Sequence, residues 1–98
     1  MNALRALADP TRQHIVELLA HGPKSSGEIA REFPLTAPAI SQHLRALKEA
    51  KLVRVRADAQ RRIYELDAQG VRELSEWIGN LRRFWKRKLD ALEEQLKA

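Results

Sequence analysis

Eight apolar residues, Val71, Leu74, Ile78, Leu81, Trp85, Leu89, Leu92 and Leu96, recur every three or four positions along the end of this 98-residue chain. Near-heptad spacing of this kind specifies one helix carrying one apolar stripe. Asp67 suits its N-cap, so the helix is expected over 68–97. At ~1.5 Å per residue such a helix is roughly 45 Å long. A compact domain of this size has a radius of gyration of ~13 Å, hence a diameter of roughly 33 Å. The helix must protrude, yet its far end is still striped with leucine, and a protruding apolar stripe needs a partner. Trp77 and Phe84 flank the stripe, which makes the face wide enough for the chain's own core and a second subunit. Gly79 costs ~1 kcal/mol relative to Ala inside a helix and is the natural place for a bend.

Upstream, turn signals cut the chain into short helices. Asn2 to Ala8 is a helical candidate with Leu4 and Leu7 on one side. Asp9 and Pro10 are an N-cap and a first helical residue for a second helix striped by Ile15, Leu18 and Leu19, with Val16 beside them. Gly22-Pro23 ends it. Ser25-Ser26-Gly27-Glu28 fits a capping box, opening a third helix whose Ile29, Ala30 and Phe33 face inward, and Pro34 closes it. A fourth helix is expected over 36–50 after a turn of three residues, with Thr36 as N-cap and Pro38 in the first turn. Ile40, Leu44 and Leu47 form its buried face, turning Ser41, Gln42, Arg45 and Lys48 outward. Two such helices make a helix-turn-helix, a weak signal alone. It is strengthened by 52–66, where Leu52-Val53-Arg54-Val55-Arg56 and the segment with Ile63, Tyr64 and Leu66 flank the polar tip Ala57-Asp58-Ala59-Gln60. A basic β-hairpin directly after a candidate recognition helix is a wing. The expected fold is mainly α with a small β-hairpin wing: one winged helix-turn-helix domain over 1–98 with a long C-terminal dimerisation helix.

Charge is just as unevenly distributed. The net charge is +5, and residues 1–35 and 63–98 each balance to zero. The excess lies in 36–62, where Arg45, Lys48, Lys51, Arg54, Arg56, Arg61 and Arg62 face only Glu49 and Asp58. A localised basic surface is the footprint of a phosphate-backbone binder, or simply a solvated face. There is no cysteine, which excludes disulfides, thiolate metal sites and cysteine nucleophiles. No apolar run approaches the ~20 residues of a membrane span, and no signal-peptide pattern opens the chain, so a cytoplasmic protein is expected. No paired-carboxylate cleft, phosphate-cradling glycine loop or nucleophile–base spacing is present, and His14 and His21 have no identifiable partner. Enzymatic activity is therefore not expected.

Three stretches, Leu4-Arg5-Ala6-Leu7-Ala8-Asp9-Pro10-Thr11-Arg12, Ile15-Val16-Glu17-Leu18-Leu19 and Pro38-Ala39-Ile40-Ser41-Gln42-His43-Leu44-Arg45-Ala46-Leu47, followed by Leu52-Val53, resemble the ArsR/SmtB family of winged-helix repressors. The resemblance implies a homodimer built from the first and last helices, with two recognition helices in successive major grooves of an imperfect palindrome. Leu4, Leu7, Ile78, Leu81, Trp85, Leu89 and Leu92 are then the interface candidates. Lys51 departs from the family, which often has a glycine there in a left-handed conformation. The family's metal-responsive members carry a cysteine pair in the third helix, or histidine and acidic ligands on the last. Here the third helix has no thiolate and the last has no histidine, so no metal site or cofactor is expected. No residue pattern identifies an inducer.

Ser41 and Gln42 are the candidates for base edges, since glutamine pairs bidentately with adenine and serine donates or accepts. Thr36, Ala37 and Pro38 form the helix edge where backbone N–H groups or the Thr36 hydroxyl hold a phosphate, although Thr36 also serves as a plain N-cap. His43, between Gln42 and Leu44, either touches phosphate or packs against the third helix. Arg45 and Lys48 suit the DNA backbone. Arg61 and Arg62 reach an adjacent minor groove or meet only phosphate. Arg82, Arg83, Lys86, Arg87 and Lys88 read as a solvated or inter-subunit salt-bridged face. Double-stranded DNA is the expected partner; a winged helix that docks a protein is the alternative, which the charge on 36–62 disfavours.

Overall fold

The computed structural model describes residues 2–97, and its elements follow the turn signals closely. Helix α1 spans Asn2–Ala6, α2 Pro10–Leu19, α3 Ser26–Arg31, α4 Ala37–Glu49 and α5 Ala68–Lys97. Strands β1 (Lys24–Ser25), β2 (Val53–Asp58) and β3 (Arg61–Leu66) form one antiparallel sheet in the order β1-β3-β2.

Side-chain caps fix where the helices begin. Asp9 accepts from the Arg12 backbone N–H at 3.1 Å, and Thr36 from that of Ala39 at 3.2 Å. Ser25 and Glu28 close both bonds of a capping box, at 3.1 and 2.9 Å. Each cap satisfies amide donors that the helix itself leaves unpaired. Ile15, Leu19, Ile29, Ile40, Leu44, Leu47, Leu52 and Val53 are buried together and form the core beneath the sheet and the three central helices.

Several expectations need correction. Helix α1 stops at Ala6, two residues short, and buries Ala3 and Ala6. Leu4 is left exposed, while Leu7 is half-buried against the chain's own core. Helix α3 ends at Arg31, so its connection to α4 runs over 32–36 rather than three residues. Strand β1 had no periodic signal, yet Lys24 and Ser25 pair with Tyr64 and Ile63. The hairpin tip is only Ala59-Gln60, with Asp58 opposite Arg61 and Ala59 at φ 57.

Lys51 adopts the left-handed conformation, φ 62, that its place after α4 demands. The Lys51 N–H donates to the Lys48 carbonyl and the Leu52 N–H to the Leu47 carbonyl, both at 3.0 Å, which makes a Schellman ending. The first turn of α5 docks on this ending: a Cβ on Gly70 would lie 1.7 Å from the Lys51 carbonyl oxygen. The Asp67 N–H also bonds the Leu52 carbonyl at 2.9 Å, so the end of α4, the start of β2 and α5 meet at one junction.

Helix α5 is continuous through Gly79 and makes the molecule 65 Å long, with a radius of gyration of 17.5 Å. Of its residues only Leu74 is buried. Trp85, Leu89 and Leu92 are each 53% exposed, and Ile78 and Leu81 are exposed as well. Among the described residues, no helix is long and apolar enough to cross a membrane. The architecture is a winged helix-turn-helix with a projecting C-terminal helix.

Candidate nucleic-acid interface

Helix α4 is strongly amphipathic. Ile40, Leu44 and Leu47 are buried, so the 3.6-residue repeat leaves Ser41, Gln42, Arg45 and Lys48 exposed on the opposite side. Thr36, Ala37 and Pro38 are exposed at its N-terminal edge. The Thr36 hydroxyl already serves as a cap acceptor for Ala39.

The wing contributes unequally. Across β2 and β3, Val55 stands opposite Tyr64 and Ala57 opposite Arg62, so these four share one face. Val55, Arg62 and Tyr64 line a cleft of about 210 Å³ together with Ser41, Arg45 and Lys48 of α4. The fold thus brings Ser41, Arg45, Lys48 and Arg62 together. Arg61 lies on the other face of the strand and pairs with Asp58 at 3.6 Å.

Electrostatics sharpen that division. Arg54 and Arg56 both lean on Glu65, at 2.9 and 3.7 Å. Glu65 lies three residues beyond the basic segment, so a count along the chain overstates the charge this segment presents. Among the described residues, no carboxylate lies within ion-pair distance of Arg45, Lys48 or Arg62. Exposed pairs contribute only ~0–1 kcal/mol to stability, so what they change here is the field. Within the basic segment, Arg45, Lys48 and Arg62 therefore stand unpaired among the described residues, as does Lys51 just beyond the end of α4.

His43 is half-buried, and its side-chain hydrogen bond within the chain goes to α2. Its Nδ1 accepts from the Nε–H of Arg12, on α2, at 3.2 Å. Arg12 was not among the candidates, since nothing local in the sequence links residues 31 positions apart. Beside it, the Arg12 backbone N–H holds the Asp9 carboxyl below its ordinary value of 3.8, helped by the Thr11 backbone N–H and the Arg12 guanidinium. The other two histidines, His14 and His21, line a shallow groove with Glu17 and Glu32 between α2 and the end of α3. Among the described residues, no three histidine, cysteine or acidic side chains are grouped to hold a metal ion. The basic run of α5 is engaged locally, with Lys86 on Asp90 at 3.4 Å and Lys88 over the Phe84 ring at 5.6 Å.

Residues 9–55, from the cap of α2 into β2, match the model of the bacterial regulatory protein family arsR. The chain is 52% identical to the HTH-type transcriptional regulator Rv2034 of Mycobacterium tuberculosis, over 89% of this chain and 78% of the relative. The chain belongs to the ArsR family. A second relative, the transcriptional repressor SdpR of Bacillus subtilis, is 34% identical over 81% of this chain and 88% of its own. The solution structure of Mb0332 from Mycobacterium bovis, described as a homodimeric winged helix-turn-helix DNA-binding domain, superposes with a TM-score of 0.69. It is 28% identical, over 84% of this chain and 76% of that one. This ArsR-family chain is a DNA-binding transcriptional regulator with a winged helix-turn-helix fold.

Proposed function

We propose that this chain is a cytoplasmic repressor that occupies an imperfect DNA palindrome as a homodimer, with α4 of each subunit in a major groove. The observation that carries the reading is the grouping of Ser41, Arg45, Lys48 and Arg62 around one cleft, with none of the three cations paired to a carboxylate among the described residues. In this arrangement Ser41 and Gln42 meet base edges, while Thr36, Ala37 and Pro38 present the helix edge to a phosphate. Arg45 and Lys48 neutralise backbone phosphates, and Arg62 follows the groove beside the wing. Dimerisation covers the exposed stripe formed by Ile78, Leu81, Trp85, Leu89 and Leu92, with Leu4 and the part of Leu7 left exposed by the core joining it from α1 and the turn after it. The repressor SdpR and the homodimer Mb0332 support the two halves of the proposal.

Fluorescence anisotropy on a palindromic duplex from upstream of the chain's own gene tests it. Affinity is expected to fall steeply with salt while staying at least ~10³-fold tighter than for scrambled DNA. Gln42→Ala should reduce that preference by ~1–3 kcal/mol. Equal affinity for both duplexes would sink the repressor reading.

A further inference from the structure

We infer that Arg12 is a positioning residue for DNA recognition: its guanidinium fixes the tautomer of His43, so that the recognition helix offers DNA an imidazole N–H donor. The inference rests on the proposed role of α4 and adds to it a residue from outside the helix-turn-helix.

The chemistry follows from one contact. Arginine stays protonated in proteins and only donates, so the 3.2 Å bond from Arg12 Nε–H requires a lone pair on His43 Nδ1. The neutral ring then carries its proton on Nε2. Among the described residues nothing accepts from that Nε2–H, and the ring is only half-buried. A phosphate oxygen or a base acceptor is a suitable mate for an N–H donor. The opposite tautomer would present a lone pair to an anion and repel it. His43 lies about 100° around α4 from Gln42, on the flank turned toward α2, and its half-buried ring leaves this donor at the margin of the face assigned to DNA.

Arg12 is itself held for this task. Its backbone N–H is tied to the Asp9 carboxylate at 3.1 Å in the first turn of α2. That carboxylate remains anionic beside the Arg12 and His43 side chains. Asp9, Arg12 and His43 thus form a short chain from the α2 cap to the reading helix, anchored on a buried segment that includes Ile15. A second-element partner of this kind restricts ring orientation more than packing on α4 alone.

A double-mutant cycle with the full chain separates this role from plain charge. Arg12→Met should weaken binding to the palindromic duplex about three- to tenfold, but less than about twofold when made in His43→Ala. Long-range loss of one positive charge is common to both backgrounds and cancels. In the free protein, long-range proton–nitrogen NMR should show His43 as the Nε2–H tautomer alone, turning into a mixture in Arg12→Met. Arg12→Lys, which keeps a cation able to donate, should restore most of the affinity and serves if the methionine variant folds poorly. Equal losses in both backgrounds, or an imidazole spectrum indifferent to Arg12, would overturn the inference. Failure of the repressor reading shows separately, as equal affinity of the unmutated protein for palindromic and scrambled duplexes.

Discussion

Gly70 occupies a position where no side chain fits, because the Lys51 carbonyl oxygen would stand 1.7 Å from its Cβ and the carbonyl carbon 2.8 Å from it. Both are backbone atoms, so relief requires moving α5 off the end of α4. Gly70→Ala is therefore expected to destabilise the fold by about 3 kcal/mol, as overpacking does, even though alanine is the better helix former. Thermal unfolding checks this, and a raised melting temperature would refute the close approach. The reciprocal position behaves oppositely. Lys51 holds φ 62 against the cost of its Cβ, so Lys51→Gly should be stabilising by roughly 1 kcal/mol. Two carboxyls set the acid behaviour. Asp9 is held below its ordinary 3.8 chiefly by the Arg12 N–H, and Glu28 below 4.5 by the Ser25 N–H and hydroxyl. Both bind protons less readily folded than unfolded, so their stabilisation is complete above those values and is lost as pH falls through the depressed ones. Melting temperature should decline below about pH 4.5, and Glu28→Gln should make that decline shallower.

In the proposed complex the elements divide the work of meeting DNA more sharply than the run of basic residues implies. Helix α4 presents its outward side chains because three buried leucine and isoleucine positions leave it no other orientation. The wing puts alternate residues on opposite faces, so adjacent arginines have different fates. Arg62 joins the α4 cleft, whereas Arg61 is turned toward Asp58. Arg62→Ala should lower affinity and reduce the salt slope by about one, while Arg61→Ala should change both less. Equal effects in a salt titration would mean that the whole wing moves freely on the duplex. Most of this surface was legible in the sequence, since Ser41, Gln42, Arg45 and Lys48 follow from helical periodicity alone. The neutralising role of Glu65 was not, because it depends on the cross-strand register that sets Arg54 opposite Glu65.

At the scale of the molecule, the dominant feature is a helix that leaves its own domain. Beyond Leu74 it buries none of its apolar stripe, and Trp85, Leu89 and Leu92 keep over half their surface exposed. Covering these half-exposed side chains on both helices, at roughly half of the ~1.5–3 kcal/mol that full burial of each gives, favours association. Trp85→Glu combined with Leu89→Glu should yield a monomer by size-exclusion light scattering, with DNA affinity collapsing alongside; a persistent dimer would place the interface elsewhere. The sequence by itself determined the helix starts, the striped faces and the overhang of α5, since caps and stripes are set by intervals of three and four residues within one helix. It also located the wing, though not the two-residue strand β1, which is too short to carry a period and exists only because β3 offers it an edge. Only the tertiary structure decided that α1 buries its alanines, that Gly70 rests on Lys51 and that Arg12 grips His43. Those contacts join elements far apart in the chain, and they depend on packing angles that no local spacing records.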